Sequence, residues 1–200
     1  REATNWLIDR DYLNQEIYGG GSLPKFFAIT TQLVDYTGVV DVARALEAKY
    51  AYNLEKADEI IQADMETLGA EKGADGKYLF NGAPVTIIFL IRPDGDGTRK
   101  PMGDYIANQL EAIGFTIDRQ YKPSSEAAPI WRGDPTLGEW HIYTGGWLPS
   151  GLTRDEKNSF QQMYLSNSSQ GVQPFLSNTD VDPEFQQVAD DLANANFTSA

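Results

Sequence analysis

Apolar positions are unevenly spread along the chain, and the clearest run lies near its middle. Val85 to Ile91 (VTIIFLI) is continuous, rich in β-branched residues and short, which predicts a strand buried on both faces. It ends in the turn-rich loop Arg92-Pro93-Asp94-Gly95-Asp96-Gly97. The following segment places Met102, Tyr105, Ile106, Leu110 and Ile113 on one helical face. Pro101 stands near its start, and Gly114 fits its C-terminal cap. Phe115 to Tyr121 alternates as a second strand. Strand, helix and strand at these lengths form a βαβ unit, whose strands run parallel and whose crossover is right-handed. Glu139 to Tyr143 predicts a third strand, which runs out at Thr144-Gly145-Gly146-Trp147. The fold class expected is α/β: a small, largely parallel sheet with flanking helices.

The flanking segments are helical or irregular. Ala3, Trp6, Leu7, Leu13 and Ile17 predict one helix through Ile17, stopped by Gly19-Gly20-Gly21. Ser22 to Gly38 reads as irregular, and Val39 to Tyr50 as a short helix. Asn53 can cap a longer helix with Ala57, Ile60, Ile61, Met65 and Leu68 on one face, ended by Gly69. Gly73 to Gly82 contains turn material. Ser124 to Arg132 predicts a weak helix because it contains Pro129. Asp182-Pro183-Glu184 is a start signal for a last helix carrying Phe185, Val188, Ala189 and Leu192.

Composition narrows the chemistry. Lys and Arg number 16 against 29 Asp and Glu, so the net charge is 16 − 29 = −13. That balance argues against a nucleic-acid partner, whose affinity rests on clustered cations, and against docking to an anionic membrane. The absence of Cys excludes disulfides and thiolate chemistry, and the single His, His141, excludes a multi-histidine metal cluster. No apolar run approaches the roughly 20 residues that span a bilayer. The chain opens at Arg1, without Met and inside a predicted helix. It therefore reads as a fragment or processed product, and a missing signal peptide says nothing about export.

In open α/β sheets ligands bind beyond the carboxyl ends of the strands. Two loops lie there: Arg92 to Thr98, and Thr144 to Ser150. In the second, Gly145 and Gly146 allow close backbone approach and Trp147 offers a wide apolar face. The same pattern is met by a tryptophan packed on the sheet beside a simple turn. In the first loop, Asp94, Asp96 and Thr98 match the opening of a calcium loop. Arg99 at the sixth position and Tyr105 at the twelfth break the pattern, so a solvated turn is expected and no metal site. His141, mid-strand, reads as a structural or surface histidine. Asp134 and Glu139 are the pair a glycoside hydrolase reading would use as acid and base. Asn167-Ser168-Ser169 and Asn196-Phe197-Thr198 are formal glycosylation sequons of little weight.

The order of segments resembles a known family. REATNWLIDRDYLNQEIYGG resembles the "REALNYAIDRDYI" helix of the family 5 extracellular solute-binding proteins, the oligopeptide- and dipeptide-binding type that serves ABC importers. YNLEKADEIIQADMETLG is similar to the family's "YDPEKAKELL" segment. VTIIFLIRPDGDGTRKPMGDYIANQLEAIGFTIDRQY, EWHIYTGGW and LSNTDVDPEFQQVADDLANA match its later strands and helices in order. The resemblance implies one lobe of a two-lobed periplasmic-binding-protein-like fold. Residues 1–200 would be a single, mostly C-terminal lobe, with the first lobe absent. It implies a partner permease, a place in the periplasm or on the outer face of the cytoplasmic membrane, and no catalysis or cofactor. The implied ligand-binding residues are Gly145, Gly146, Trp147 and Ser150: Trp147 for stacking, the glycines for backbone access, Ser150 for a hydrogen bond. Where peptide-binding members carry an acid three positions after the tryptophan, this chain has Ser150. Where some carry an Arg three positions before it, this chain has Thr144. A peptide-like or oligosaccharide-like solute remains open. The rival expectations are the Asp134–Glu139 hydrolase and a non-catalytic interaction domain.

Overall fold

The computed structural model describes residues 2–32, 34–146, 159–165 and 182–195. Trp147, Ser150 and both sequons lie outside the described residues. The helices are α1 (Thr4–Leu7), α2 (Arg10–Tyr12), α3 (Val34–Thr37), α4 (Val40–Lys49), α5 (Leu54–Thr67), α6 (Arg99–Ala112), α7 (Ser124–Trp131), α8 (Ser159–Tyr164) and α9 (Pro183–Asn194). The strands are β1 (Glu71–Lys72), β2 (Tyr78–Phe80), β3 (Ala83–Pro84), β4 (Thr86–Ile91), β5 (Thr116–Tyr121) and β6 (Ile142–Tyr143). They form two sheets. One is antiparallel in the order β1-β2-β3; the other is parallel in the order β5-β4-β6. The α/β expectation, with a small parallel sheet and flanking helices, holds.

β4 is the centre of the parallel sheet, pairing with β5 from Thr86↔Thr116 to Ile91↔Tyr121 and with β6 at Phe89↔Ile142 and Leu90↔Tyr143. Phe89, Leu90 and Ile91 are fully enclosed, but Thr86 is exposed and Ile87 and Ile88 are half-buried. Burial on both faces is therefore confined to the carboxyl half of the strand. α6 lies close on that half. A Cβ on Gly103 would stand 2.9 Å from Ile91 Cγ2, so only glycine lets the helix approach this far. Gly114 ends α6 in the left-handed region (φ +116°), as its capping role requires.

A second core joins the amino-terminal helices to the rest. Trp6 and Leu7 of α1, Ala57 and Ile61 of α5, Tyr78 of β2, and Leu110, Ile113 and Phe115 pack together. Asn53 caps α5 through its side chain, which accepts from Lys56 N (2.9 Å), while its own N–H donates to Trp6 O (2.9 Å). Asp182 caps α9 in the same way, accepting from Glu184 N and Phe185 N.

Two local expectations need correction. The single helix through Ile17 breaks at Ile8, which is extended, because Asp9 starts a new helix by accepting from Asp11 N and Tyr12 N. That helix runs on into a π-helical turn at Leu13–Ile17. The irregular stretch Ser22 to Gly38 contains α3. Gly73 to Gly82 contains turns, as expected, and also a strand, Tyr78–Phe80, which Asn81 (φ +51°) with Gly82 (φ +78°) joins to β3 in a two-residue hairpin.

The third strand is shorter than Glu139 to Tyr143 because a side chain replaces the ladder at its start. His141 N donates to Ile88 O (2.9 Å), and Ile88 N donates to His141 Nδ1 (2.9 Å) instead of to a backbone carbonyl. His141 is structural, as expected. His141→Ala leaves the Ile88 amide without its acceptor and should cost about 1 kcal/mol, the usual net worth of one hydrogen bond. Urea melts measure the loss, and faster hydrogen exchange at the Ile88 amide locates it; an unchanged exchange rate would contradict the assignment.

Candidate functional site

The carboxyl ends of β4, β5 and β6 are stitched to one another by side chains from their own loops. Thr144, which follows β6, is 3% exposed. Its hydroxyl accepts from Arg92 N (2.9 Å), and its N–H donates to Leu90 O (3.1 Å). The residue therefore clips β6 to β4. Asp94 does the same on the other side. Its carboxylate receives a two-pronged bond from Arg92, Nε to Oδ1 at 3.0 Å and Nη2 to Oδ2 at 3.1 Å, and a further bond from Ser124 N at the start of α7. Lys122 N, just after β5, donates to Ile91 O (3.0 Å). A fixed platform results, on which a ligand meets little backbone that must still be ordered.

These bonds hold the Asp94 carboxyl down at about 2, first through Arg92 and then through the Ser124 amide. A carboxyl lowered on folding stabilises the fold above its unfolded value near 4, and that contribution is lost as pH falls through about 2. The stability gap between wild type and Asp94→Asn should thus be constant at neutral pH and shrink between about pH 4 and pH 2. Urea midpoints across that range test it; a gap independent of pH would sink it.

The carboxylates of the Arg92 to Thr98 loop are engaged by their own neighbours. Asp94 is bound by Arg92, and Asp96 Oδ1 accepts from both Thr98 N (3.0 Å) and Thr98 Oγ1 (2.7 Å). Among the described residues no group of three His, Cys, Asp or Glu side chains could hold a metal ion.

An aromatic wall stands beside the platform. Trp131, the last residue of α7, stacks on Tyr143 of β6 with ring centroids 5.5 Å apart and planes 17° apart. Trp140 meets Tyr143 edge-on at 6.5 Å, and the Arg132 guanidinium lies over Trp131 at 4.7 Å. Gly145 and Gly146 are exposed and continue from this wall. A Cβ on Gly145 would come within 3.3 Å of the Tyr143 ring. A Cβ on Gly146 would come within 2.4 Å of Arg99 Nη2 and 3.1 Å of its Cζ. A side chain at position 146 would need the Arg99 guanidinium to move aside, and one at position 145 would press lightly on the Tyr143 ring.

The structure thus brings Gly145 and Gly146 to the carboxyl end of the parallel sheet. Sequence reasoning missed Trp131, Trp140 and Tyr143 there. Their signal was position alone: Tyr143 ends a strand, Trp131 ends a helix, and Trp140 stands just before a strand. Asp134 and Glu139 show no such assembly. Both are exposed, and Asp134 accepts from Thr136 N (2.9 Å) and Thr136 Oγ1 (2.7 Å), bonds that lower its carboxyl below the ordinary value. That direction is wrong for a general acid.

Comparison with known proteins is consistent with this geometry. The family model of bacterial extracellular solute-binding proteins, family 5 (middle region), matches residues 1–171. No curated protein matches the chain. Among solved structures, the chain is similar to the oligopeptide-binding protein AppA from Bacillus subtilis in complex with a nonapeptide. The identity is 17% and the TM-score 0.68, over 97% of this chain and 35% of that one. It is similar to NikA from Brucella suis in complex with Fe(III)-EDTA, with 15% identity and a TM-score of 0.63, over 96% and 34% of the two chains. It is also similar to the periplasmic binding protein MelB from Agrobacterium fabrum in complex with stachyose, with 19% identity and a TM-score of 0.50, over 96% and 30%. The chain spans about a third of the length of these structures, and at such identities the likeness shows the fold. No helix among the described residues is long and apolar enough to cross a membrane.

Proposed function

The chain belongs to the bacterial extracellular solute-binding proteins of family 5, and from that premise we propose that it captures a peptide-like or oligosaccharide-like solute for an ABC importer. In this reading residues 1–200 act as a single lobe. A second lobe closes over the solute, the closed form is favoured by the solute's preference for it, and a permease in the membrane receives the load. The protein works on the outer face of the cytoplasmic membrane or in the periplasm and performs no catalysis. The observation that carries the reading is the exposed Gly145–Gly146 segment, set at the carboxyl ends of a parallel sheet beside the Trp131–Tyr143–Trp140 wall. Trp147, next in sequence, adds stacking area, and Ser150 a hydrogen bond. The wall suits sugar rings and peptide side chains alike, and the bound nonapeptide and stachyose of the structural neighbours represent both classes.

One lobe covers a solute on one side only, so this chain alone should bind weakly, with a dissociation constant well above about 1 μM. Titration of the labelled chain with a nonapeptide and with stachyose, followed through backbone amide shifts, tests the reading. Saturable shifts centred on Gly145, Gly146 and Tyr143 are expected from at least one of them. Shifts centred instead on the cavity lined by Arg10, Phe26, Tyr36, Arg44 and Tyr52, or none at millimolar solute, would overturn it.

A further inference from the structure

A cavity of about 480 Å³ lies where residues 8–11, residues 23–31 and the stretch from α4 to Tyr52 meet. None of its lining residues belongs to the parallel sheet or to the loops at its carboxyl ends. The volume is that of a small-molecule site. Leu23 and Tyr52 line it and are exposed, so solvent reaches it. Arg10, also in the lining, is a cation without a counter-ion. Its guanidinium lies over the Phe26 ring at 4.3 Å, while Nη1 donates to Asn5 O (3.2 Å) and Nη2 to Asn5 Oδ1 (2.8 Å). These contacts fix the plane of the fork and leave its other N–H groups without a partner among the described residues. Burial pulls the guanidinium below its ordinary value, the mark of a cation partly withdrawn from water. The acids of the cavity are otherwise engaged. Asp9 Oδ1 accepts from Asp11 N and Tyr12 N, and Glu47 accepts from Arg44 and the Tyr36 hydroxyl. Asp11 is exposed to water.

We propose that this cavity is a second binding site, separate from the solute cleft, which takes a ring-bearing carboxylate with its anion on Arg10. A partly buried cation without a partner is costly, and an anion from outside removes that cost. A planar fork held against an aromatic ring matches the two oxygens of a carboxylate. Tyr36, Tyr52 and Leu23 offer the ligand's ring an apolar wall, which a bare anion would leave wet. A phosphate dianion would bring a second charge close to Asp9, Asp11 and Glu47, with one unpaired cation to offset it. A cationic ligand would meet Arg10 itself. The occupant also bears on the fold. Asp9 N donates to Tyr105 Oη of α6 (3.1 Å), and Tyr12 stacks on Tyr105 at 4.9 Å, so residues 8–11 tie the cavity to that helix. A ligand held by the folded chain alone stabilises it.

The test follows the Arg10 Nε–H and the Ala51 amide by nuclear magnetic resonance. The chain is titrated at constant ionic strength with sodium benzoate, benzamide, benzylammonium chloride, sodium acetate and sodium phosphate. Benzoate should shift both signals saturably, raise the melting midpoint and leave Gly145 and Gly146 unmoved. Acetate, which lacks the ring, should bind about threefold or more weakly. Arg10→Lys keeps the charge but not the fork, and should weaken benzoate about tenfold or more. Tyr52→Ala removes an exposed ring and none of the Arg10 bonds, so it decides the matter even where Arg10→Lys does not fold. It should weaken benzoate about threefold and leave acetate unchanged. The proposal fails if benzoate leaves Arg10 unmoved, or if benzamide, benzylammonium or phosphate acts equally. It also fails if a folded Arg10→Lys or Tyr52→Ala chain keeps the full benzoate response. Stachyose and the nonapeptide leaving Gly145 and Gly146 unmoved, while benzoate shifts Arg10, would overturn the solute cleft and leave this site standing.

Discussion

Replacing Phe89 with alanine is expected to lower the unfolding free energy by about 3–5 kcal/mol, the range for emptying a packed aromatic site. Phe89 is 0% exposed and sits at the midpoint of the central strand, opposite Arg119 on β5 and Ile142 on β6. Ile91 and Ala107 complete its buried cluster, with Ile106, Ile117 and Ile142 packed around it. A rigid parallel pair on both sides and the close approach of α6 through Gly103 leave the site little freedom to collapse. Domains of this size have total stabilities of about 5–15 kcal/mol, so the variant would keep only a small margin. Urea denaturation measures the loss. A loss below about 1 kcal/mol would mean that the site relaxes, and that β4 is not the fixed centre from which the carboxyl-end platform is built. The effect reaches the platform because the loop carrying Arg92 and Asp94 leaves from the same strand, and β6 is held to it by Thr144.

The elements legible in the sequence were those whose signal is local. The VTIIFLI run, the face of α6 with its Pro101 and Gly114 boundaries, and the Asn53 and Asp182 caps each carry their cause within a few residues. β4, α6, β5, α5 and α9 accordingly stand close to where the pattern placed them. The break in the first helix was also local, but it depended on Asp9 acting as a cap, which competes with an apolar spacing that continues across it. The hairpin between β2 and β3 had an available signal in Asn81-Gly82, hidden because strands as short as Ala83–Pro84 leave no alternation to read. The short third strand could not have been foreseen, because a histidine ring supplies an acceptor to a strand fifty-three positions earlier in sequence.

The candidate site was read from topology and not from chemistry. The rule that ligands gather at the carboxyl ends of parallel strands led to Gly145 and Gly146. Thr144, which reads as a position without charge, turns out to join two strands, a role that only the register between β4 and β6 could disclose. Trp131 sits at the end of a weak, proline-containing helix and gives no sign in sequence that its ring stacks on Tyr143. Arg99 lay in the first loop, where it broke the calcium pattern and, with Lys100, marked a helix start with weak attraction for an anion. Its relation to Gly146 exists only in three dimensions.

The central claim is that the chain's Gly-Trp end faces a solute, and Trp147→Ala tests it most directly when stability and binding are read on the same protein. If Trp147 lines the cleft, it has no packed core site to empty. The variant should lose far less than the roughly 3–5 kcal/mol expected for Phe89→Ala. Solute binding, followed through the Gly145 and Gly146 amides with the nonapeptide and with stachyose, should weaken by a factor of about thirty or more, as for an aromatic anchor at the centre of an interface. A tryptophan packed on the sheet would give the reverse: a fold weakened by several kcal/mol in denaturant melts, with binding lost only where the fold is lost. The account predicts a nearly unchanged melt with binding gone; a badly destabilised chain would contradict it.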